Sequence, residues 1–280
     1  MSNGTRIGVD PLAVTEKSLS TEFDLLIQDL DLRLFERIPS QTTDWDKRSL
    51  LACQLAVRTM LGDYTYLEIG SYIGGSLQPY LVDDRCTRIF SIDKRPAVQA
   101  DERGIDYAYE NNSTQRMLDN LKQVHAPGLS KITCIDDDGS NIDPQLISPK
   151  PQICFIDGEH TDEACFRDFL FCLSVIENDG LLVFHDAPVV YNGLSQIIAY
   201  LDEKKIRYHA YNLPETVFVV EINDFAIHEQ PFIYRMLIDN HQGYLMSLRY
   251  NDHYRKFANK PFFKMLRNLK VRATGSNISK

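Results

Sequence analysis

Acidic, histidine and small polar residues follow five short apolar segments of this chain. Because such side chains stand at five successive segment ends, we interpret them as parts of a polar functional site and not as packing residues. His160 follows Asp157 by three residues, and because the ordinary pKa of histidine is about 6.5 it can accept a proton at neutral pH. His160 is therefore a candidate general base. The five groups are Glu68-Ile-Gly70, Asp93, Asp138–Asn141, Asp157–His160 and His185-Asp186.

His160 also has a structural interpretation. A helical pattern covers Asp162–Asn178, and His160 would then be the N-cap of that helix, with Glu163 completing an arrangement like a capping box. The two roles are compatible, so the sequence leaves both open.

A glycine-rich turn follows the first apolar segment. Tyr64–Ile69 is β-branched and aromatic with one charge near its end, which predicts a buried strand. Gly70, Gly74 and Gly75 then provide a turn of little side-chain bulk before a helical pattern. Such a turn leaves backbone N–H groups free to meet a ligand. Its spacing, Glu-x-Gly-x-x-x-Gly, differs from the Gly-x-Gly-x-x-Gly of dinucleotide binders, and a tight turn in any α/β protein explains it equally well.

A second acid lies at the end of the next predicted strand. Asp93 follows Glu68 by 25 positions, and a carboxylate in this place can accept hydrogen bonds from both hydroxyls of a ribose. This geometry suits NAD and S-adenosylmethionine equally. The alternative is an acid that caps a turn.

The elements that must position these residues alternate between strand and helix, which is typical of a parallel, doubly wound sheet. In such sheets ligands bind beyond the carboxyl ends of the strands, where all five polar groups would meet. The predicted helices are Thr114–Val124, Asp162–Asn178 and one near Leu194–Lys204. The predicted strands are Tyr64–Ile69, Arg88–Ile92, Lys131–Ile135, Gln152–Asp157, Leu181–Phe184 and two near Arg207–Tyr211 and Val217–Ile222.

The two ends of the chain differ from this central pattern. Residues 1–61 contain a loose lead-in and two helical patterns, Phe23–Phe35 and Lys47–Leu61, the second closed by Gly62. Residues 225–280 are aromatic and basic, with ten lysine and arginine residues against three acidic ones, and helical in pattern. The expected organisation is an N-terminal helical extension (1–61), a central domain (62–224) and a C-terminal helical extension (225–280).

Composition and net charge indicate an ordinary globular protein and argue against a nucleic-acid-binding or membrane-spanning one. Hydrophobic residues make up 44% and charged residues 25% of the 280 positions, as in soluble globular proteins. A formal net charge of −9 argues against nucleic acid as a partner, because phosphate binding needs a basic face. No apolar run approaches the roughly 20 residues that cross a bilayer, and no signal peptide is recognised. Six cysteines without a Cys-x-x-Cys pair indicate a reduced, cytoplasmic protein.

The longest motif lies around the fourth predicted strand. Phe155-Ile-Asp157-Gly-Glu-His160 is followed by an acid eleven residues after Asp157, which is Asp168, and later by Asp179-Gly180 and His185-Asp186. Together with the glycine turn, this resembles the class I S-adenosylmethionine-dependent methyltransferases, specifically a bacterial subset of small-molecule O-methyltransferases. Asp179-Gly180 replaces the Gly-Gly usual in that subset.

The resemblance covers residues 62–222 and implies a Rossmann-like seven-stranded sheet of order 3-2-1-4-5-7-6 with the last strand antiparallel. It implies S-adenosylmethionine as the methyl donor. Ser140 and Asn141 occupy the place where relatives similar to catechol O-methyltransferase present small polar side chains to adenine, and Asp138 is an alternative there. The implied donor-binding residues are Glu68, Gly70, Ser71, Gly74, Ser76, Asp93, Asp138, Ser140 and Asn141.

The resemblance also implies a divalent metal. By position, Asp157 and Asp186 would be ligands and His185 a third, and Mg²⁺, Mn²⁺ or Zn²⁺ suits such a set. Many metal-dependent relatives carry a second acid or an amide directly after the second aspartate, where this chain has Ala187. That departure leaves the metal requirement open. Asp168 is expected to act as an outer-shell or structural group.

The function predicted from these features is methyl transfer to an oxygen of a small molecule such as a sugar, a phenol or a natural product, with Asp157 and His160 as the catalytic residues. One alternative is an NAD-dependent oxidoreductase, and another is a methyltransferase-like binding protein without activity. A homodimer through the aromatic-rich ends is compatible with the sequence. The acceptor itself is not encoded in any recognisable motif.

Overall fold

The computed structural model describes residues 22–104, 106–237, 256 and 260–274. Within this part, a seven-stranded sheet has the order β5-β2-β1-β6-β7-β9-β8. All neighbouring pairs are parallel except those made by β9, which runs antiparallel to β7 and β8. This confirms the predicted Rossmann-like sheet and its antiparallel last strand. The strands are β1 Tyr64–Ile69, β2 Cys86–Ile92, β5 Ile132–Ile135, β6 Ile153–Ile156, β7 Gly180–Phe184, β8 Tyr208–Asn212 and β9 Phe218–Ile222.

Alternation along the strands divides the core into two layers, because successive side chains of a strand point to opposite faces. Tyr66 of β1 belongs to the layer that packs against α2, α3 and α4, whereas Leu67 belongs to the layer that packs against α5 and α6. Both faces of the sheet are thus covered, and β1, β6 and β7 are buried along their whole length. The helices are α1 at 22–28, α2 Asp44–Leu61, α3 Gln78–Val82, α4 Thr114–His125, α5 Asp162–Val175, α6 Tyr191–Lys204, α7 at 231–237 and α8 Pro261–Thr274.

The predicted helix over Phe23–Phe35 is wrong in its length. Helix α1 ends near residue 28, and a separate 3-10 helix covers Leu32–Phe35. Leu30 between them has φ +49°, a left-handed conformation that an α-helix does not contain. The Asp31 carboxylate accepts a hydrogen bond from the backbone N–H of Arg33. This cap starts the 3-10 helix at a point where the spacing of apolar residues in the sequence continues without a break.

A small hairpin lies between β2 and α4 and was not predicted. Its strands, β3 Val98–Gln99 and β4 Tyr107–Ala108, pair antiparallel. Two-residue strands give too short a pattern for sequence periodicity. The hairpin matters because it carries residues to the edge of the sheet at which the functional site lies.

The predicted C-terminal extension lies partly outside the described residues. Residues 231–237 and Pro261–Thr274 are helical, as the sequence indicated, while 238–255, 257–259 and 275–280 are outside the described part. Among the helices that are described, none has the length and apolar character of a membrane span. All six cysteines are free thiols.

Candidate functional site at the carboxyl ends of the strands

Two adjoining clefts open at the carboxyl ends of β1, β2 and β6. The larger cleft, of about 560 Å³, is lined by the glycine turn, Asp157, His160 and the segment 39–42 that precedes α2. The smaller cleft, of about 290 Å³, is lined by Asp93, Asp138 and Asp168 among others. Gly70 and Gln99 line both clefts. The sheet therefore brings together the predicted polar groups on one rim.

The glycine turn is pressed against the end of β6. Gly70 has φ +94°, which L-residues rarely adopt, and a Cβ atom there would overlap the backbone carbonyl oxygen of Asp157. Its N–H donates to the Ile92 carbonyl at 2.8 Å. Gly74 also has a positive φ, +88°, and packs on α4. At Gly70 the turn thus presents backbone without a side chain to both clefts.

Glu68 supports this turn from beneath. It is fully buried and accepts hydrogen bonds from the hydroxyls of Tyr66 and Ser76, both at 2.6 Å. Burial raises the pKa of the Glu68 carboxyl to about 7, partly offset by these two hydrogen bonds. Ser71 is buried as well, where its oxygen accepts the hydroxyl of Ser91 at 2.8 Å. The three predicted donor-binding side chains here make hydrogen bonds to other residues of the protein: Glu68, Ser71 and Ser76. Two of them, Ser71 and Ser76, also line the larger cleft.

Asp93 lies where the ribose-binding acid was expected, at the end of β2. Its Oδ2 accepts the N–H of Tyr72 and its Oδ1 the N–H of Arg95, each at 2.8 Å. The guanidinium of Arg95 lies 3.2 Å from Oδ2 and also donates to the carbonyl of Tyr72. Asp93 therefore fixes the glycine turn to β2 and at the same time lines the smaller cleft.

Of the three residues expected near adenine, Asp138 lines the smaller cleft and the other two do not. Ser140 is exposed and donates its hydroxyl to Asp138 at 2.8 Å, and exposed Asn141 donates its amide to Asp137. Asp168, expected to be an outer-shell or structural group, lines this cleft at 3% exposure. Burial raises the pKa of the Asp168 carboxyl to about 7, against the lowering effect of Arg167.

His160 stands between two carboxylates on the larger cleft. Its Nε2 lies 3.3 Å from Oδ2 of Asp186 and 3.8 Å from Oδ1 of Asp157. Thr161, not His160, caps α5, because the Thr161 side chain accepts the N–H of Ala164. The capping interpretation of His160 is therefore wrong, and its ring is available to the cleft.

Asp101 is a functional neighbour of His160 that sequence reasoning missed. Its Oδ2 lies 3.2 Å from Nδ1 of His160, and its carboxylate is also bound by both Nε and Nη2 of Arg103, at 2.9 and 2.7 Å. Asp101 belongs to the segment of the unpredicted small hairpin, where no strand end or motif marks it. The sequence carries no signal that would have identified it.

His185 lies beneath the same carboxylates. Its Nδ1 is 3.1 Å from Oδ1 of Asp157 and 3.5 Å from Oδ2 of Asp186, and its Nε2 is 3.4 Å from Oδ2 of Asp46. Neither ring nitrogen has hydrogen-bond geometry with these oxygens, although both nitrogens are buried. Asp46 was not predicted as part of the site, but it is a capping-box residue of α2 that also accepts two hydrogen bonds from Thr216.

The charges of this group act on one another. Burial works to lower the pKa of His160, but Asp186, Asp101 and Asp157 outweigh it and raise that pKa to about 10. Burial works to raise the pKa of Asp186, but His160 and His185 hold it below the ordinary value. Asp157 is shifted down in the same way, mainly by His185 against burial. At neutral pH the group therefore consists of ionised carboxylates and protonated imidazoles.

A cation would compete with the protons of these imidazoles. Asp157, His160 and Asp186 each offer one ligand atom within 4.8 Å of the others, and Nδ1 of the expected ligand His185 lies 3.1 and 3.5 Å from oxygens of the same two carboxylates. Asp186 has φ +50°, and such strain is common at functional sites. Two carboxylates, an imidazole and the unpaired nitrogens of His185 have the donor chemistry for a divalent metal.

The segment at residues 35–42, which precedes α2, lines the larger cleft with its residues 39–42. Gln78 holds it: its Oε1 accepts the N–H groups of Arg37 and Ile38 at 3.0 and 2.9 Å, and its Nε2 donates to the carbonyls of Phe35, Ile38 and Gly75. This buried amide joins the segment directly to the glycine turn. A polar residue in the first turn of a short helix gave no sign of that role in the sequence.

Comparison with known proteins yields one family and a set of similar structures. The model of a family described as a methyltransferase domain matches residues 67–187, which run from β1 to just beyond β7. No curated protein matches the chain.

Several solved structures of methyltransferases are similar to this one. The O-methyltransferase TomG from Streptomyces achromogenes, involved in tomaymycin synthesis and solved with S-adenosylmethionine, is 13% identical, with a TM-score of 0.48 over 78% of this chain and 91% of TomG. An O-methyltransferase from Bacillus cereus solved with S-adenosylhomocysteine is 12% identical, with a TM-score of 0.44 over 78% and 93%. A ribosomal protein L11 methylase from Lactobacillus delbrueckii subsp. bulgaricus is 13% identical, with a TM-score of 0.40 over 64% and 79%.

Proposed function

We propose that this chain, a class I S-adenosylmethionine-dependent methyltransferase, transfers the methyl group to an oxygen of a small-molecule acceptor. One observation carries the proposal: the glycine turn, Asp93 and the group formed by Asp157, His160 and Asp186 border two clefts that share Gly70. The smaller cleft would take the nucleoside of the donor. The larger cleft would then hold its sulfonium end together with the acceptor.

The residues of the smaller cleft fit a nucleoside. Oδ1 of Asp93 accepts one backbone N–H, whereas Oδ2 accepts a backbone N–H and an N–H of the Arg95 guanidinium. Because a carboxylate oxygen has two lone pairs, Oδ1 keeps capacity for a ribose hydroxyl. Gly70 lines both clefts without a side chain, and a Cβ atom there would overlap the carbonyl of Asp157. Asp138 and Asp168 line the same cleft and would accept the amino group of adenine, whereas we assign Ser140 and Asn141 to supporting Asp138 and its loop.

The reaction is an in-line displacement. A bond forms between the acceptor oxygen and the methyl carbon while the bond from that carbon to sulfur breaks, with its electron pair remaining on the sulfur of S-adenosylhomocysteine. The acceptor hydroxyl loses a proton, which His160 would take as general base. Asp101, 3.2 Å from Nδ1, would hold the imidazole so that Nε2 faces the cleft.

This role requires His160 to be neutral before the reaction. The carboxylates of Asp186 and Asp157 keep its pKa near 10. Without a cation bound to these carboxylates, the imidazole of His160 would therefore be protonated at neutral pH. A divalent metal held by Asp157 and Asp186, with His185 as a third ligand, would supply positive charge that activates an acceptor hydroxyl. A metal bound to the two carboxylates would offset their negative charge and so lower the pKa of His160. Metal binding and the role of His160 as a base are therefore coupled in this proposal.

The first test is binding of the donor product to the purified chain by isothermal titration calorimetry. Heat from S-adenosylhomocysteine and none from NAD is expected, and the reverse would replace the proposal with an oxidoreductase. The second test is transfer of a labelled methyl group to a panel of sugars, phenols and other hydroxylated molecules. It is run after chelation and after addition of Mg²⁺, Mn²⁺ or Zn²⁺.

Each outcome of the second test has a distinct meaning. Transfer that depends on the metal supports the coupled role of Asp157 and Asp186, and transfer after full chelation assigns the chemistry to protein groups alone. Binding of S-adenosylhomocysteine with no transfer to any acceptor would favour a binding protein that retains the nucleoside site.

A further inference from the structure

A second set of metal-binding side chains lies far from the clefts, on the hairpin formed by β8 and β9. It consists of His209 on β8, Glu221 on β9 and His228 in the 3-10 helix Ile227–Glu229. We name these three residues the hairpin cluster. One ligand atom from each lies within 4.8 Å of the other two.

Strand register brings the first two members together. His209 and Glu221 are direct partners in the antiparallel pair of β8 and β9, and side chains of directly opposite residues lie on the same face of the sheet. The chain then turns after β9 and returns over that face, which brings His228 to Glu221. The pairing of β8 with β9 and the turn after β9 thus bring the three residues of the hairpin cluster together.

The hairpin cluster lies at the opposite edge of the sheet from the clefts. Glu221 is paired with Leu181, near the first residue of β7, whereas Asp186 follows the last residue of that strand. Ligands of open α/β sheets bind beyond the carboxyl ends of the parallel strands. A site at their amino ends is therefore separate from the proposed methyl-transfer site.

Glu221 is fully buried and its two oxygens have different surroundings. Oε1 accepts the backbone N–H of His228 at 2.7 Å and the hydroxyl of Tyr211 at 2.6 Å. Oε2 faces the two imidazoles, with Nδ1 of His228 at 2.5 Å and Nδ1 of His209 at 4.0 Å. The ring centroids of the two histidines are 4.5 Å apart. One oxygen thus anchors the carboxylate, and the other is directed at two nitrogen ligands.

We propose that His209, Glu221 and His228 bind a zinc ion. Two imidazoles and one carboxylate suit zinc, whereas Mg²⁺ and Ca²⁺ prefer oxygen ligands throughout. Zinc bonds of about 2.0–2.2 Å in tetrahedral geometry place ligand atoms about 3.4 Å apart. The Glu221–His228 pair would therefore open and the Glu221–His209 pair would close, each by less than about 1 Å. His209 is exposed and can make this movement.

The zinc ion would connect β8, β9 and the chain that follows β9. Residues 231–237 form α7 directly after the 3-10 helix that carries His228, so the ion would fasten the start of the C-terminal extension to the sheet. A water molecule would complete the four ligands of the ion on the exposed side. This role is structural, because the hairpin cluster shares no residue with either cleft.

The competing interpretation is a hydrogen bond between Glu221 and His228 without any metal. A substitution of His209 distinguishes the two interpretations, because His209 lies 4.0 Å from Glu221 and takes no part in the hydrogen bond between Glu221 and His228. Removal of His209 should leave the metal-free fold intact and abolish tight zinc binding only if the site exists.

The experiment uses the full chain without an affinity tag, stripped with a chelator and titrated with zinc chloride against a chromophoric zinc indicator. We expect the wild type to bind one more zinc ion per chain than His209→Ala, and zinc to raise the melting temperature of the wild type by more than that of His209→Ala. His209→Cys, which keeps a zinc ligand, should restore binding. His228→Ala should lose it as His209→Ala does.

His160→Ala is the matched control, because it removes a histidine of the other candidate metal set and should leave the hairpin cluster loaded. Binding of S-adenosylhomocysteine should be unchanged in His209→Ala. Equal zinc stoichiometry and affinity, within about threefold, in the wild type and in His209→Ala would overturn the proposal, as would a zinc-induced rise in melting temperature of the same size in both.

Discussion

The Nδ1 atom of His160 lies 3.2 Å from Oδ2 of Asp101, a residue 59 positions earlier in the chain. The two residues are also joined through the backbone, since they form an isolated parallel bridge and the N–H of Glu102 donates to the carbonyl of His160. Arg103 holds both oxygens of the Asp101 carboxylate, with Nε donating to Oδ1 and Nη2 to Oδ2. The orientation of the imidazole is thus set by a segment that precedes α4.

Asp101→Asn should lower the rate of methyl transfer by about 10–100-fold, the usual effect of removing a partner that orients a functional histidine. The affinity for S-adenosylhomocysteine should stay within about twofold, because Asp101 lines neither cleft. Turnover and calorimetry on the same preparation check this. A parallel loss of both would mean that Asp101 supports the fold and not the orientation of His160.

Asp186→Asn should lower the pKa of His160 more than Asp101→Asn does. Burial already favours the neutral imidazole, and Asp186 is the strongest of the groups that oppose it. The pKa would move from about 10 toward the ordinary value of 6.5. Titration of the imidazole by NMR in metal-free protein measures the shift, and an unchanged pKa in Asp186→Asn would contradict the charge arrangement described above.

Gly70→Ala should destabilise the protein far more than Gly62→Ala. Both glycines have positive φ, +94° and +78°, so each substitution strains the backbone by about 1 kcal/mol. Gly62 has no atom near its missing Cβ, whereas at Gly70 the carbonyl of Asp157 occupies that place, which adds about 1–3 kcal/mol or more of overlap. Urea unfolding of the two variants compares them, and equal losses would show that strain alone matters at Gly70.

Glu68→Gln should change how stability depends on pH. The carboxyl of Glu68 ionises near 4.5 in an unfolded chain and near 7 in the folded protein, so folding takes up a proton between these values. The free energy of unfolding contributed by Glu68 therefore falls as pH rises from about 4.5 to about 7 and is constant above that range. The amide of glutamine carries no such charge.

Relative to the wild type, Glu68→Gln should gain about 1–3 kcal/mol between pH 4.5 and pH 8, since one pKa unit corresponds to about 1.4 kcal/mol. Urea unfolding at both pH values gives the difference. Asp168 contributes a pH dependence of the same sign in both proteins and cancels in the comparison. A constant difference between the variant and the wild type across this range would refute the raised pKa.

Gln78→Ala should loosen the segment that covers the larger cleft. The substitution removes five hydrogen bonds and leaves backbone groups of Phe35, Arg37, Ile38 and Gly75 without that partner, at a cost of about 1–3 kcal/mol. Hydrogen exchange in residues 35–42 should accelerate. The control is Gln115→Ala, whose side chain is exposed and bonds only within its own helix, to Asp119.

The sequence alone was enough to predict the sheet. Strands such as Tyr64–Ile69 and Leu181–Phe184 are short apolar segments between turns and amphipathic helices, and these features depend on neighbouring residues only. The placement of Glu68, Asp93, Asp157 and Asp186 at one rim followed from the same alternation, because parallel strands have their carboxyl ends on one edge. Helix α2 begins at Asp44, three residues before its predicted start at Lys47, because Thr43 caps it.

Tertiary structure alone decided which side chains meet. Asp101 reaches His160, Asp46 reaches His185 and Glu221 meets His209 across distances in sequence that no local pattern encodes. It also placed His160 next to the carboxylates that His185 faces and left Ser140 and Asn141 outside the lining of the smaller cleft. Periodicity reports which face of an element is buried, whereas the partners of a polar atom depend on the angles between elements, and those are fixed only when the whole core is packed.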